Sequence, residues 1–359
     1  LPVDPSQFKG VESATEALQF QLQPSYSMRY NLNLQHELSG MILSLSYLGS
    51  RGVNQVGGTD TNIAYAQLRS DGTPFFPEGS VRRNPNFAQV RTILQGFSSS
   101  YNALAAGMTR HFRNGLQFQA AYTYGKSLDD ASGTSRLDYA NGQARSFDPY
   151  NRRLNRALSD FDIRHTLTVN ASYEVPLGRN LTGWSKQLVD GWQFNTIVMV
   201  SSGVPFSPLV DGDPDRDATD ENAARPNWLQ GASVVPIGGQ TPDLWFNPLA
   251  FAPPGVGFRG TAGRNIIIGP NYRSVDVSLV KLFPLGETNR IEFRVEAFNL
   301  FNRPNFDLPS NSEDGELIYN YFPAASGSPA SFLQAPSVGR IFSTVGDSRE
   351  LQFALKFVF

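Results

Sequence analysis

In this chain of 359 residues, few side chains have the type and spacing to do chemistry. Asp211-Gly-Asp-Pro-Asp-Arg-Asp217 places a carboxylate at every second position, with Asp220 and Glu221 close behind. That rhythm suits calcium, a hard cation that takes about six to eight oxygen ligands. The segment lacks the central Gly and distal Glu of an EF-hand loop, since Arg216 and Asn222 hold those positions. A solvated acidic loop without an ion is therefore the competing reading of Asp211, Asp213, Asp215 and Asp217. In a second group, Arg290, Glu292, Arg294 and Glu296 alternate in charge at every second residue and so share one face of an extended strand. Such a ladder either meets a charged ligand or pairs internally with Glu350 and Lys356 of a neighbouring strand. His165, in Arg164-His-Thr166, is the one candidate base. No Ser or Asp can be assigned to it as nucleophile or orienting group, so a packing role at a strand mouth is expected and enzymatic activity is not.

Composition narrows the field further. There is no Cys, which removes disulfides, thiol nucleophiles and thiolate metal sites, and His36, His111 and His165 are scattered. Apart from the calcium reading, no cofactor is expected. Thirty basic residues against 32 acidic ones give a net charge of −2, so no nucleic-acid partner is expected. Charged residues make up only 17%, against roughly 25% in average domains. Of the basic residues only Lys9, Lys126, Lys186, Lys281 and Lys356 are lysines. A hydrophobic content of 40% and a mean hydropathy of −0.29 look, at face value, like a water-soluble protein. No apolar run approaches the roughly 18 residues of a spanning helix. The first residues, Leu1-Pro-Val-Asp-Pro5, have neither the basic nor the apolar region of a signal peptide and no initiating Met, which suggests a mature or truncated product.

The elements that would position these residues read as strands. Thirty-two Gly and 24 Pro are more punctuation than helices tolerate, and strict alternation recurs instead. Met28, Tyr30, Leu32 and Leu34 alternate with Arg29, Asn31, Asn33 and Gln35; after Ser39-Gly40, Leu43, Leu45 and Tyr47 continue the pattern. A stretch from about 101 to 112 ends at Asn114-Gly115, a hairpin dipeptide, and Leu116, Phe118, Ala120, Tyr122 and Tyr124 follow. Similar stripes cover 166–175, 192–200, 275–279, 290–297 and 351–359. Nine strands of about ten residues result, the length that crosses a bilayer at a tilt of about 45°. Their connections alternate between short turns and long loops, the latter near 50–97, 127–162, 205–271 and 303–349. Long structureless loops are uncommon in a compact soluble domain, whereas short periplasmic turns with long extracellular loops are the outer-membrane pattern. The polar faces carry mostly Ser, Thr, Asn and Gln, which suits a lumen. Aromatics gather at strand ends, where interfacial girdles sit. The expected fold is all-β, a transmembrane antiparallel β-barrel, with a soluble β-sandwich as the alternative.

Several strings go beyond periodicity. Glu296-Ala-Phe-Asn-Leu-Phe-Asn-Arg-Pro-Asn-Phe306, Gly263-Arg-Asn265, Gly269-Pro-Asn-Tyr272 and Val275-Asp-Val-Ser-Leu279 together resemble the C-terminal barrel of TonB-dependent outer-membrane transporters, specifically the Oar-like receptors. Pro2-Val-Asp-Pro5, Tyr47-Leu-Gly-Ser-Arg-Gly52, Ser100-Tyr-Asn-Ala-Leu104 and Ala121-Tyr-Thr-Tyr-Gly-Lys-Ser127 fit the same family. Gln352, Ala354, Phe357 and Phe359 resemble the C-terminal signal read by the barrel-assembly machinery, with Ala354 where Gly is usual. The resemblance implies a barrel of about 22 strands, a plug domain that is not in this chain, and engagement of the TonB complex through that plug. This chain would then be about nine C-terminal strands: residues 1–23 a loop or linker and 24–359 a partial barrel, in the lipid of the bacterial outer membrane. Nine strands cannot close alone without unpaired backbone groups in lipid, so the remaining strands are expected on another segment or polypeptide. The implied function is energy-coupled passage of a scarce solute, whether siderophore, oligosaccharide or peptide. A scaffolding subunit of a surface assembly and a passive porin are the alternatives.

Overall fold

The computed structural model describes residues 13–132, 148–178, 180–218, 224–286, 288–309, 315–325 and 328–359. Its main sheet is built from β1 (Tyr26–Leu38), β2 (Met41–Asp60), β3 (Phe87–Arg113), β4 (Leu116–Asp129), β5 (His165–Val175), β6 (Trp192–Ser201), β7 (Tyr272–Pro284), β8 (Arg290–Phe298) and β9 (Glu350–Val358). They lie side by side in chain order, each antiparallel to the next. All nine stripes of alternation are strands.

Turn chemistry sets the register. Leu38 pairs with Met41 and Arg113 with Leu116, across Ser39-Gly40 and Asn114-Gly115. All four turn residues have positive φ, between 54° and 79°. Two central residues of positive φ make the I′ turn, whose twist matches that of the strands it joins. The other short connections hold the helix α1 (Gly183–Val189) and the tight segment between β7 and β8. Among the described residues no helix is long and apolar enough to cross a membrane.

Two strands run well past ten residues: β2 has 20 and β3 has 27. Their ladder shifts register between Gly52 and Val56, then resumes as far as Asp60 opposite Arg91. Asn54 adopts a left-handed φ of 57° at this irregularity, so the Gly52-Val-Asn-Gln stretch that reads as a strand end is a bulge. The connecting loop therefore spans 61–86, not 50–97. Past the bulge a Cβ on Gly57 would lie 2.4 Å from the Phe97 ring, which explains the glycine. Within the expected linker, Ser13–Leu18 runs parallel to β3 with Ala17 opposite Thr92. Residues 1–12 lie outside the described residues.

Burial decides between barrel and sandwich. A sandwich would press the apolar stripes against a second sheet. Instead Leu32 is 62% exposed, Phe353 67% and Leu355 73%, and the stripe from Met28 to Leu34 is exposed throughout. The principal hydrophobic core lies in the long connections: Phe206, Phe246, Ala250, Phe251, Ala262, Ile267, Leu308 and Ile318 form one cluster. Both faces of the edge strands are exposed and no second sheet covers the apolar stripe, which excludes a sandwich and suits a lipid-facing wall. Its edges, β1 and β9, pair neither with each other nor with any other described strand on their outer sides.

Adjacent residues test this sidedness. Val198, paired with Val169 and Val275, points outward, and Ile197 points to the opposite face. Val198→Arg is expected to cost about 2–4 kcal/mol of barrel stability, while Ile197→Arg costs little. Urea titration of the membrane-inserted protein reads the difference.

Candidate functional site

The polar face of the open sheet carries a groove of about 610 Å³, lined among others by Gln193, Asn195, Asp276, Ser278, Glu292 and Arg294, and this is the face an outer-membrane barrel turns to its lumen. On β8 the guanidinium of Arg294 lies 2.5 Å from Glu292 and 3.6 Å from Glu296. The charged ladder thus pairs along its own strand. Lys356 faces Glu292 in register and Glu350 faces Phe298, but neither makes an ion pair among the described residues. The expected cross-strand pairing with Glu350 and Lys356 is therefore replaced by residues two apart on β8, whose side chains project to the same face. Arg294 remains partly exposed on this polar face.

The long loops are folded into a cap with two buried arginine centres. In the first, Arg264 donates to the carboxylates of Asp129 and Asp160, to Ser132 Oγ at 3.2 Å and to the backbone oxygen of Asp129 at 3.1 Å. Asn265 follows with Nδ2 2.7 Å from both Asp160 and the Leu158 oxygen. The top of β4, the 148–164 segment and the 205–271 loop meet there. Arg225 extends the network to Asn155 at 2.7 Å. Burial, helped by Arg264 and Arg259, pulls Arg225 down to about 9. Burial pushes Asp160 up to about 6, against the pull of Arg264.

This has a pH consequence. Between the ordinary carboxylate value of 3.8 and about 6, the folded cap binds more protons at Asp160 than the unfolded chain does. Falling pH therefore favours the closed cap over that window. Protease resistance of the loops is expected to rise from pH 7 to pH 5, and Asp160→Asn to lessen that rise, Asp213 and the buried Asp215 contributing the remainder.

In the second centre Arg259 pairs with Asp148, with Asp217 at 2.9 Å and with Asp215 at 3.7 Å. The carboxylates of Asp213, Asp215 and Asp217 lie within 4.8 Å of one another, whereas Asp211 turns away to accept from the Gly212 amide. Asp213 accepts from the amides of Asp217 and Ala218, both at 3.1 Å. Burial first, and then Asp217, push Asp215 well above its ordinary value. Of the two readings of this segment, the solvated loop does not hold for Asp215 and Asp217, which are buried, and Arg259 supplies at least part of the positive charge that calcium would bring. Asp220, Glu221 and Asn222 lie outside the described residues, as do Pro2 to Pro5.

His165 sits on the outward face. Its Nδ1 is 2.7 Å from the Tyr122 hydroxyl, and its ring packs on Tyr124 at 5.1 Å. The strand-exit string Asn299 to Asn305 is a clip: Asn299 and Asn302 take φ near 48°, and the Asn305 amide bonds both the N–H and the C=O of Arg273. At the C-terminus Gln352 and Ala354 face the lumen opposite Glu296 and Arg294, while Phe357 and Phe359 stack outward at 5.8 Å.

The sequence over residues 3–352 matches the family model described as an outer membrane beta barrel domain. No curated protein sequence matches the chain. Among solved structures the chain is similar to the outer-membrane transporter YddB from Escherichia coli, with 7% identity, a TM-score of 0.45, and coverage of 97% of this chain and 34% of that one. It is also similar to the ferripyoverdine receptor of Pseudomonas aeruginosa (14%, TM-score 0.42, 94% and 28%). A mutant of the ferric enterobactin receptor PfeA from the same organism gives 11%, 0.42, 95% and 32%. The chain therefore spans about a third of the length of these structures. An outward apolar stripe, a polar lumen and a family match over nearly the whole sequence agree: the chain belongs to the outer-membrane β-barrel domain family.

Proposed function

We propose that these nine strands are part of a larger, plugged barrel of the TonB-dependent kind, through which a scarce solute passes when the TonB complex acts on the plug. One observation carries the reading: a polar, charge-laddered lumen lies on a sheet whose two edges stay unpaired. Unpaired edges in hydrocarbon cost several kcal/mol per backbone group, so β1 and β9 require further strands. A wall completed in that way encloses a wider lumen than nine strands would, with room for a plug against Arg294 and its neighbours. Exposed aromatic side chains in the long connections, Tyr65, Phe161, Trp228 and Phe322 among them, offer contact surface to a siderophore, oligosaccharide or peptide.

Uptake by cells producing the whole protein tests this. Accumulation of candidate solutes is expected to fall at least tenfold when TonB is deleted or the proton gradient is collapsed. Accumulation that persists under both treatments and simply follows the external concentration would identify a passive porin instead.

A further inference from the structure

The lipid-facing wall carries a crevice that the transport reading does not use. A cavity of about 570 Å³ lies on the outward face, between the extracellular ends of β5, β6 and β7 and the loop that covers them. Its floor and roof are apolar, with Leu167, Val200, Val234 and Trp245 among the lining residues, and its polar edge is formed by His165 and Arg273. Register places Arg273 opposite Val200, and Val200 opposite Leu167, so all three share the outward face. The backbone of Arg273 is held by Asn305, but its exposed guanidinium has no hydrogen bond or ion pair among the described residues.

Charge on this wall is one-sided. From Arg51 on β2 to Phe357 on β9, the outward positions of the membrane-height strands include no Asp or Glu. Near the extracellular ends they do include Arg51, Lys126 and Arg273, all exposed. Below Arg51 and Lys126 lie Tyr30, Tyr47, Tyr122 and Tyr124, with Tyr30 and Tyr47 both bonded to Asn102. Tyrosines mark the headgroup level of a bilayer, so these cations stand where lipid headgroups are. An uncompensated guanidinium beside an apolar slot complements a molecule with an anion at one end and hydrocarbon at the other.

We propose that this crevice seats a phosphate-bearing acyl lipid of the outer leaflet, its phosphate on Arg273 and its upper acyl chain between Leu167, Val200 and Trp245. The site is on the outside of the wall, so its occupancy is independent of solute passage.

Binding of dioctanoyl phosphatidic acid to the detergent-solubilised whole protein, read by native mass spectrometry, tests the assignment. Dioctanoylglycerol and glycerol 3-phosphate supply each half alone. The intact lipid is expected to bind at least tenfold tighter than either half. Arg273→Ala is expected to weaken it about tenfold, Arg273→Lys much less, and Arg110→Ala, outward-facing at the other end of the wall, not at all. Leu167→Trp fills the slot without changing charge and is expected to weaken binding as well. Equal binding of dioctanoylglycerol, equal binding of glycerol 3-phosphate, or indifference to both Arg273→Ala and Leu167→Trp in folded protein overturns the proposal. If Arg273→Ala does not fold, Arg273→Lys and Leu167→Trp decide the matter.

Discussion

Arg264→Ala is expected to open the cap while leaving the strands in the membrane. The Arg264 side chain is 1% exposed, and Asp129 and Asp160 beside it are equally enclosed. Removing the cation strands two carboxylates away from water, and breaking a buried pair in this way costs about 3–5 kcal/mol. The loss falls on the contacts that join the end of β4, the 148–164 segment and the 205–271 loop. Protease added to intact cells should therefore cut the long loops of the variant, while its barrel keeps the resistance to cold detergent of the parent. Converting all three residues to apolar ones, Arg264→Met with Asp129→Leu and Asp160→Leu, should recover part of the loss. That outcome would separate the penalty of orphaned charge from the worth of the pairing itself.

Phe246→Ala carries the second large effect. Phe246 is fully buried at the centre of the cap cluster and meets Phe206 edge-on at 5.9 Å and Phe251 at 6.2 Å. Deleting a fully buried aromatic leaves a cavity that costs about 3–5 kcal/mol, and two edge-to-face pairs are lost with it. Because this cluster consists of loop residues, the destabilised unit is the cap. Thermal unfolding followed by Trp245, whose indole donates to Ile268 in that cluster's neighbourhood, should show an early transition well below the barrel's. A single cooperative shift of the whole transition would mean that cap and wall are one unit.

The wall was legible in the sequence because a strand repeats every two residues and each stripe had one polar and one apolar side. Ser39-Gly40 and Asn114-Gly115 were legible for a local reason, the positive φ that a two-residue hairpin demands. The cap was not. Arg264 reaches Asp129 across 135 positions, and Arg225 reaches Asn155 across 70, so no window of sequence contains both partners. The string Gly263-Arg-Asn265 stood out by resemblance alone, and its two polar residues prove to be a loop clamp. The extensions of β2 and β3 were hidden by a bulge that mimics a strand end.

Lys281 was missed for a different reason. It falls on an outward position, where an apolar residue was expected, yet it is almost wholly buried. Its ammonium donates to the backbone oxygen of Asp190 and lies 4.7 Å from Phe283 and 5.7 Å from Trp192. A long stem under an aromatic roof lets the charge reach polar backbone at the periplasmic edge.

The central claim is that β1 and β9 are edges completed by other strands and do not meet each other. The chain has no cysteine, so engineered pairs report once any cysteines in the rest of the whole protein are replaced. In the whole protein in its native membrane, cysteines at lumen-facing Asn31, Asn33 or Gln35 of β1 can be combined with cysteines at Gln352, Ala354 or Lys356 of β9. The control pair Arg294→Cys with Ala354→Cys, which are register partners on β8 and β9, should form a disulfide on oxidation. Every β1–β9 combination is expected to stay unlinked, because further strands separate the two edges. Efficient linkage of any one of them would mean a barrel closed by nine strands, and would contradict the account.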